Sequence, residues 1–188
     1  MSACPSCGSG LETPLVCTAC GVLLSPDPPP TPFEALGVDV AFALDPRDLK
    51  KRLLRFSRYV HPDYFGTAAE TVREAAERSS ARLNDSYEVL VDDFRRADWI
   101  VREQGGPSEA DERQMPQVFL MEVLEWNETL EEARAGGPGS PAWAALDKLQ
   151  AELDEQRAST LARVARSLDP LPDKGSPSLT ETRRELNA

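Results

Sequence analysis

Apolar residues recur every three or four positions through most of this chain, and no stretch alternates polar and apolar residues as a strand would. The spacing predicts helices over 47–60, 67–91, 93–103, 116–134, 142–167 and 177–188. In the first, Leu49, Leu53, Phe56 and Val60 share one stripe at 100° per residue, while Lys51, Arg55 and Arg58 take the opposite face, with Arg52 and Tyr59 on a flank. Asp45 followed by Pro46 supplies an N-cap and a first-turn proline. In the fourth, Phe119, Val123, Trp126 and Leu130 form a core stripe, and a second apolar set, Leu120, Met121 and Leu124, points largely away from it. The fifth carries its packing stripe on Trp143, Leu146, Leu149, Leu153, Leu161, Val164 and Leu168. The last is amphipathic through Leu179 and Leu186.

Gly and Pro clusters punctuate this pattern. EQGGPSEA at 103–110 and AGGPGSPA at 135–142 stop their incoming helices, and DPLPDKGSP precedes the final segment. The short connections suit antiparallel neighbours, so the body should be all-α. SPDPPPTP at 25–32 favours polyproline geometry and is expected to act as a semi-rigid spacer rather than a packed element.

Charge changes the picture of what the chain can bind. A formal net charge of −11 over 188 residues argues against general nucleic-acid binding, which requires a basic surface. No apolar run approaches the roughly 18 residues of a membrane span. The N-terminus lacks the basic and apolar blocks of a signal peptide, which predicts a cytoplasmic protein. Against this background, residues 47–58 hold six basic residues and one acid. A concentrated positive face on an acidic chain is the pattern of a docking surface for an acidic protein partner.

All four cysteines, Cys4, Cys7, Cys17 and Cys20, fall within two C-x-x-C-G turns. Each turn aims two thiolates at one ion, and together they supply a closed tetrahedral set with no open position for substrate water. The expected cofactor is structural zinc; rubredoxin-type iron uses similar knuckles and stays open beside it. Residues 1–24 contain Glu12 but neither Lys nor Arg, so the knuckles have no phosphate footprint.

The single histidine, His61, opens the step His61-Pro62-Asp63. The residue before proline disfavours the α region, so the basic helix must end there. Ser57 and Tyr59 lie back on the helix, with no oxyanion-forming turn nearby, so the histidine lacks a catalytic setting. One histidine with one aspartate is also an incomplete metal set.

An amphipathic basic helix, the His-Pro-Asp turn, and a following helix containing SARLNDSYEVL, preceded by PFEALGV, together resemble a J-domain. That resemblance implies that His61, Pro62 and Asp63 contact a DnaK-type chaperone and trigger its ATPase, with Lys51, Arg55, Arg58 and Tyr59 in the docking surface. It implies no catalysis by this chain. J-domains commonly carry Lys or Arg after the tripeptide; Tyr64 stands here instead.

From about residue 31 onward the chain resembles the HscB type of J-domain protein, a co-chaperone of iron–sulfur cluster assembly. The carrying residues are the J-like region, ADWIVREQG, and FLMEVLEWNETLEE at 119–132. The resemblance implies that Leu120, Met121, Leu124, Glu125, Glu128 and Glu132 contact an IscU-type scaffold, which is handed to an HscA- or DnaK-type ATPase. Some members carry an N-terminal tetra-cysteine module, as here. The family's last helix runs further than the segment ending at Ala188, so this one is expected to be short. The implied organisation is a zinc module at 1–24, a linker at 25–32, a J-domain with connecting helix at 33–105, and a C-terminal three-helix bundle at 108–188. Two other readings stand beside it: a J-domain adaptor for a different client, and a small zinc or redox protein using its cysteines.

Overall fold

The computed structural model describes residues 3–111 and 117–187, with side chains in the latter stretch from 119 onward, and among these residues it holds seven α-helices. The first residue of the helix expected over 116–134, and the last of that expected over 177–188, lie outside the described residues. Two compact units are present, Met1–Ile100 and Val101–Ala188. Among the described residues there are isolated antiparallel bridges but no strand.

The first unit is built around helices α1 (Pro32–Leu36), α2 (Pro46–Val60), α3 (Glu70–Val91) and most of α4 (Asp93–Glu103). Asp45 caps α2 as expected, its carboxylate accepting from the Arg47 amide at 2.8 Å. The α2 stripe is buried throughout: Leu49, Leu53, Phe56 and Val60 are all at most 7% exposed. Helix α3 packs against α2 and buries Ala76, Ser79, Leu83, Ser86 and Leu90 within the unit.

Helix α1 was legible only as an apolar segment. Its signal is a capping box: the Glu34 amide donates to the Thr31 hydroxyl, and the Thr31 amide donates back to the Glu34 carboxylate. It buries Phe33, Ala35 and Leu36, and Phe33 packs against Trp99 of α4 with ring centroids 4.9 Å apart.

Two expectations need correction. The helix expected from 67 begins at Glu70, because Pro62–Phe65 form a 3-10 turn whose last carbonyl accepts from the Ala68 amide at 2.9 Å. The proline segment is also more than a spacer at its C-terminal end. Pro30 and Pro32 are buried, and the Pro30 carbonyl accepts from the Arg82 guanidinium of α3.

Arg96 on α4 is a buried cation at 3% exposure. Its Nε donates to the Phe42 carbonyl at 2.8 Å, its other nitrogens reach the Leu90 carbonyl and Asp93, and its guanidinium lies 5.0 Å from the Phe42 ring centre. One side chain therefore closes the end of α3 onto the loop before α2.

The second unit holds an antiparallel hairpin, α5 (Gln117–Gly136) and α6 (Pro141–Leu168), with α7 (Ser178–Asn187) against α6. Ser140 caps α6 through the Trp143 amide at 3.2 Å. The hairpin seam is half-buried along most of its length and fully buried at Ala133, while Val164 and Leu168 are fully buried at the far end of α6. Ten residues of α7 span only about 15 Å, against about 42 Å for the 28 of α6. Leu179 and Thr182 are buried, Arg163 pairs with Glu185, and the Arg183 Nε donates to the Pro107 carbonyl at 3.0 Å. Gly106 permits a tight approach, since a Cβ there would strike both Val101 and Leu179.

Candidate metal centre and docking surfaces

The two cysteine turns fold alike. Gly8 donates to the Cys4 carbonyl at 2.9 Å, and Gly21 to that of Cys17 at 2.8 Å. Both glycines hold φ +75°, a left-handed conformation that glycine adopts freely. The amides of Cys4 and Cys17 then close each turn onto Ser9 and Val22. The four sulfurs come within 4.8 Å of one another, with Cys4–Cys20 at 3.8 Å and Cys7–Cys17 at 3.7 Å. A tetrahedral ion with Zn–S bonds of about 2.3 Å places its ligands about 3.8 Å apart, so the donor set fits such an ion.

Ionisation makes the same point. The Cys7 thiol is lowered to about 6, chiefly by its hydrogen bonds with Ser9. Cys20 is pushed up to about 11: the Val22 amide favours its thiolate, but burial and the three neighbouring sulfurs outweigh that bond. Four thiols at this range resist shedding all their protons without a cation among them. Cys4 and Cys17 are buried and Cys7 and Cys20 exposed, so the cluster has a sealed floor and an open edge.

The module is docked, not dangling. Thr13 donates from its hydroxyl to the Ala35 carbonyl of α1 at 2.8 Å, and Leu15 and Val16 are buried. Glu12 pairs with Arg55 of α2 and accepts from Thr18. The Arg55 hydrogen bond holds the Glu12 carboxyl below its ordinary range.

The basic face and the turn beyond it stand open. Lys51, Arg55, Arg58 and His61 are exposed, Tyr59 is half-buried, and Leu54 adds an exposed apolar residue beside them. Arg52 is withdrawn from this face: it pairs with Asp48 and donates to the Gly37 carbonyl at 2.7 Å. Among the described residues, Lys51 and Arg58 make no ion pair. The His61 side chain is 52% exposed and that of Asp63 87%. The Asp63 amide donates to His61 Nδ1 at 3.3 Å, fixing the ring over its own turn, and Tyr64 sits edge-on to it, 71% exposed. Three polar or aromatic side chains are thus held outward by a proline-stiffened turn with no core to serve.

On α5, Leu120 is 49% exposed and Met121 and Leu124 are each 64% exposed. The carboxylates of Glu125, Glu128 and Glu132 are exposed beside them. The opposite stripe turns inward, with Phe119 edge-on to Trp126 at 5.9 Å. Helix α5 therefore separates a seam-facing stripe from an outward apolar strip rimmed by acid, rather than burying both.

The chain is similar to known proteins. Residues 115–185 match the family model described as the HSCB C-terminal oligomerisation domain. Over 130 residues the chain is 32% identical to a co-chaperone protein HscB homolog of Vibrio vulnificus, covering 69% of this chain and 76% of that one. The chain belongs to the HscB family of co-chaperones. A human relative, the iron-sulfur cluster co-chaperone protein HscB, is 31% identical over 129 residues, covering 68% of this chain and 55% of that one. The crystal structure of the human co-chaperone protein HscB shares the fold with a TM-score of 0.70 at 24% identity, over 99% of this chain and 90% of that one.

As an HscB-family member the chain is a co-chaperone rather than an enzyme, and its four clustered cysteines form a centre able to hold a metal ion. No described helix is long and apolar enough to cross a membrane. Sequence reading missed the Glu12–Arg55 pair that ties this centre to α2. Its only trace was Glu12 as the one charged residue of the first 24.

Proposed function

We propose that this HscB-family protein is an iron–sulfur cluster co-chaperone that bridges two partners. Its His61-Pro62-Asp63 turn and the basic face of α2 engage a DnaK- or HscA-type chaperone and stimulate ATP hydrolysis there. The α5 strip of Leu120, Met121 and Leu124, rimmed by Glu125, Glu128 and Glu132, holds an IscU-type scaffold protein. Residues 33–105 act as the J-domain with its connecting helix and 108–188 as the client-holding domain. The observation that carries the reading is the outward display of His61 and Asp63 at the end of a cationic helix, their side chains 52% and 87% exposed and, among the described residues, in contact only with their own turn.

The mechanism is tethering. Binding both partners turns client delivery into an intramolecular encounter at raised effective concentration. The cationic face speeds association with an acidic surface, and the stiff turn reduces the conformational freedom lost on contact. The tetra-cysteine centre holds zinc as a structural ion, since four thiolates leave no open coordination position.

The test is single-turnover ATP hydrolysis by the chaperone with the scaffold present. Asp63→Asn, at an exposed position, should abolish stimulation while leaving the unfolding transition unchanged. Full stimulation by that variant would overturn the reading.

A further inference from the structure

The one carboxylate of the cysteine module is held against a cation of the first long helix. Glu12 lies on Arg55, an outward cation at the middle of the α2 basic face. Its position is set by the main chain beneath it. The next residue, Thr13, is 1% exposed and anchored on the Ala35 carbonyl, and the Glu12 carbonyl packs so closely on Gly37 that a Cβ there would collide with it. Thr18, beside the Cys17–Cys20 knuckle, donates to the same carboxylate oxygen at 3.0 Å. The metal-binding turns therefore hold an acid at a fixed place over a basic docking face. Of the three outward cations on that face, Lys51 and Arg58 make no ion pair among the described residues, and Arg55 alone is covered.

We propose that Glu12 is an internal competitor for the docking surface: it masks Arg55 and sets how strongly an acidic chaperone partner engages α2. This inference rests on the reading of α2 as the chaperone-docking face. Both side chains of the pair remain partly exposed, 52% for Arg55 and 40% for Glu12, so a partner carboxylate can reach the guanidinium and exchange for Glu12 without opening the core. An exposed ion pair is weak enough to be displaced on contact and strong enough to tune affinity. The anchor of the mask is the folded knuckle, so its strength depends on the metal centre being formed.

The experiment uses the full metal-loaded chain and measures the concentration giving half-maximal stimulation of the chaperone ATPase. Glu12→Gln should lower it by about two- to fivefold, the span of an exposed ion pair. Arg55→Gln should raise it, and Glu12→Gln should then have no effect in the Arg55→Gln background. A gain that persists without Arg55 would come from net charge alone and overturn the masking; so would an unchanged or raised value for Glu12→Gln. Glu12→Asp keeps the charge but shortens the reach, and should reproduce the gain; it also serves if Glu12→Gln sheds its metal, which elemental analysis reports. Asp63→Asn runs beside these variants. Full stimulation by Asp63→Asn would overturn the docking reading itself, whereas an unaltered Glu12→Gln beside an inactive Asp63→Asn overturns only the role of Glu12.

Discussion

Replacing Leu120 and Leu124 with alanine separates packing from recognition on α5. Leu120 is 49% exposed and Leu124 64%. Full burial of a leucine contributes about 2 kcal/mol, so covering the exposed fractions with a partner would contribute about 2 kcal/mol for the pair. Alanine retains part of that area, which sets the expected loss of affinity at about ten- to thirtyfold. Stability should respond far less, because only the already buried fractions are lost and alanine favours the helix. The unfolding free energy should fall by about 1 kcal/mol or less. The assay is a calorimetric titration of the full chain with the IscU-type scaffold, paired with urea unfolding of the free protein. A double variant with unchanged affinity and a markedly lowered unfolding midpoint would refute the reasoning, since both leucines would then be seam residues.

Other perturbations test the frame that holds the sites. Arg96→Met should cost about 2–4 kcal/mol in urea unfolding, because the Phe42 and Leu90 carbonyls lose their buried donor; a loss below about 1 kcal/mol would mean that water replaces the guanidinium. Gly37→Ala should destabilise by about 1–3 kcal/mol in thermal unfolding, since φ is +63° and the new methyl meets the Glu12 carbonyl. The same variant should release metal faster to a chromophoric chelator, because it pushes the module off α1. Cys17→Ser should abolish stoichiometric metal binding in elemental analysis while leaving the helical circular dichroism signal nearly intact, as none of the seven helices lies before Pro32.

The division of labour between short and long range decides what the chain discloses before it folds. Helices announce themselves because their stripes, caps and stops act over four residues or fewer: Asp45 on the Arg47 amide, Ser140 on that of Trp143, proline after His61. The metal ligands are legible for the same reason, each knuckle being a local turn. The residues proposed to meet partners are legible by a different route. Leu120, Met121 and Leu124 break the one-sided pattern of their helix, and His61-Pro62-Asp63 interrupts a basic helix with groups that no nearby core requires.

What stays hidden is whatever joins distant residues. Arg55 and Arg58 share a face on a helical wheel and Arg52 flanks it, yet the fold gives Arg52 to Asp48 and Gly37, gives Arg55 to Glu12 across 43 positions, and leaves Arg58 outward. Arg82 and Arg96 close loops 52 and 54 positions away by donating to the carbonyls of Pro30 and Phe42. A guanidinium offers five donors in a rigid fork, so it can satisfy several buried carbonyls at once, where lysine behaves as a point charge. No periodicity records that choice, because it depends on which main-chain acceptors the loops bring near. The count of cations on α2 therefore overstates the charge a partner meets. The docking face proposed above is the part of it that folding has left unspent.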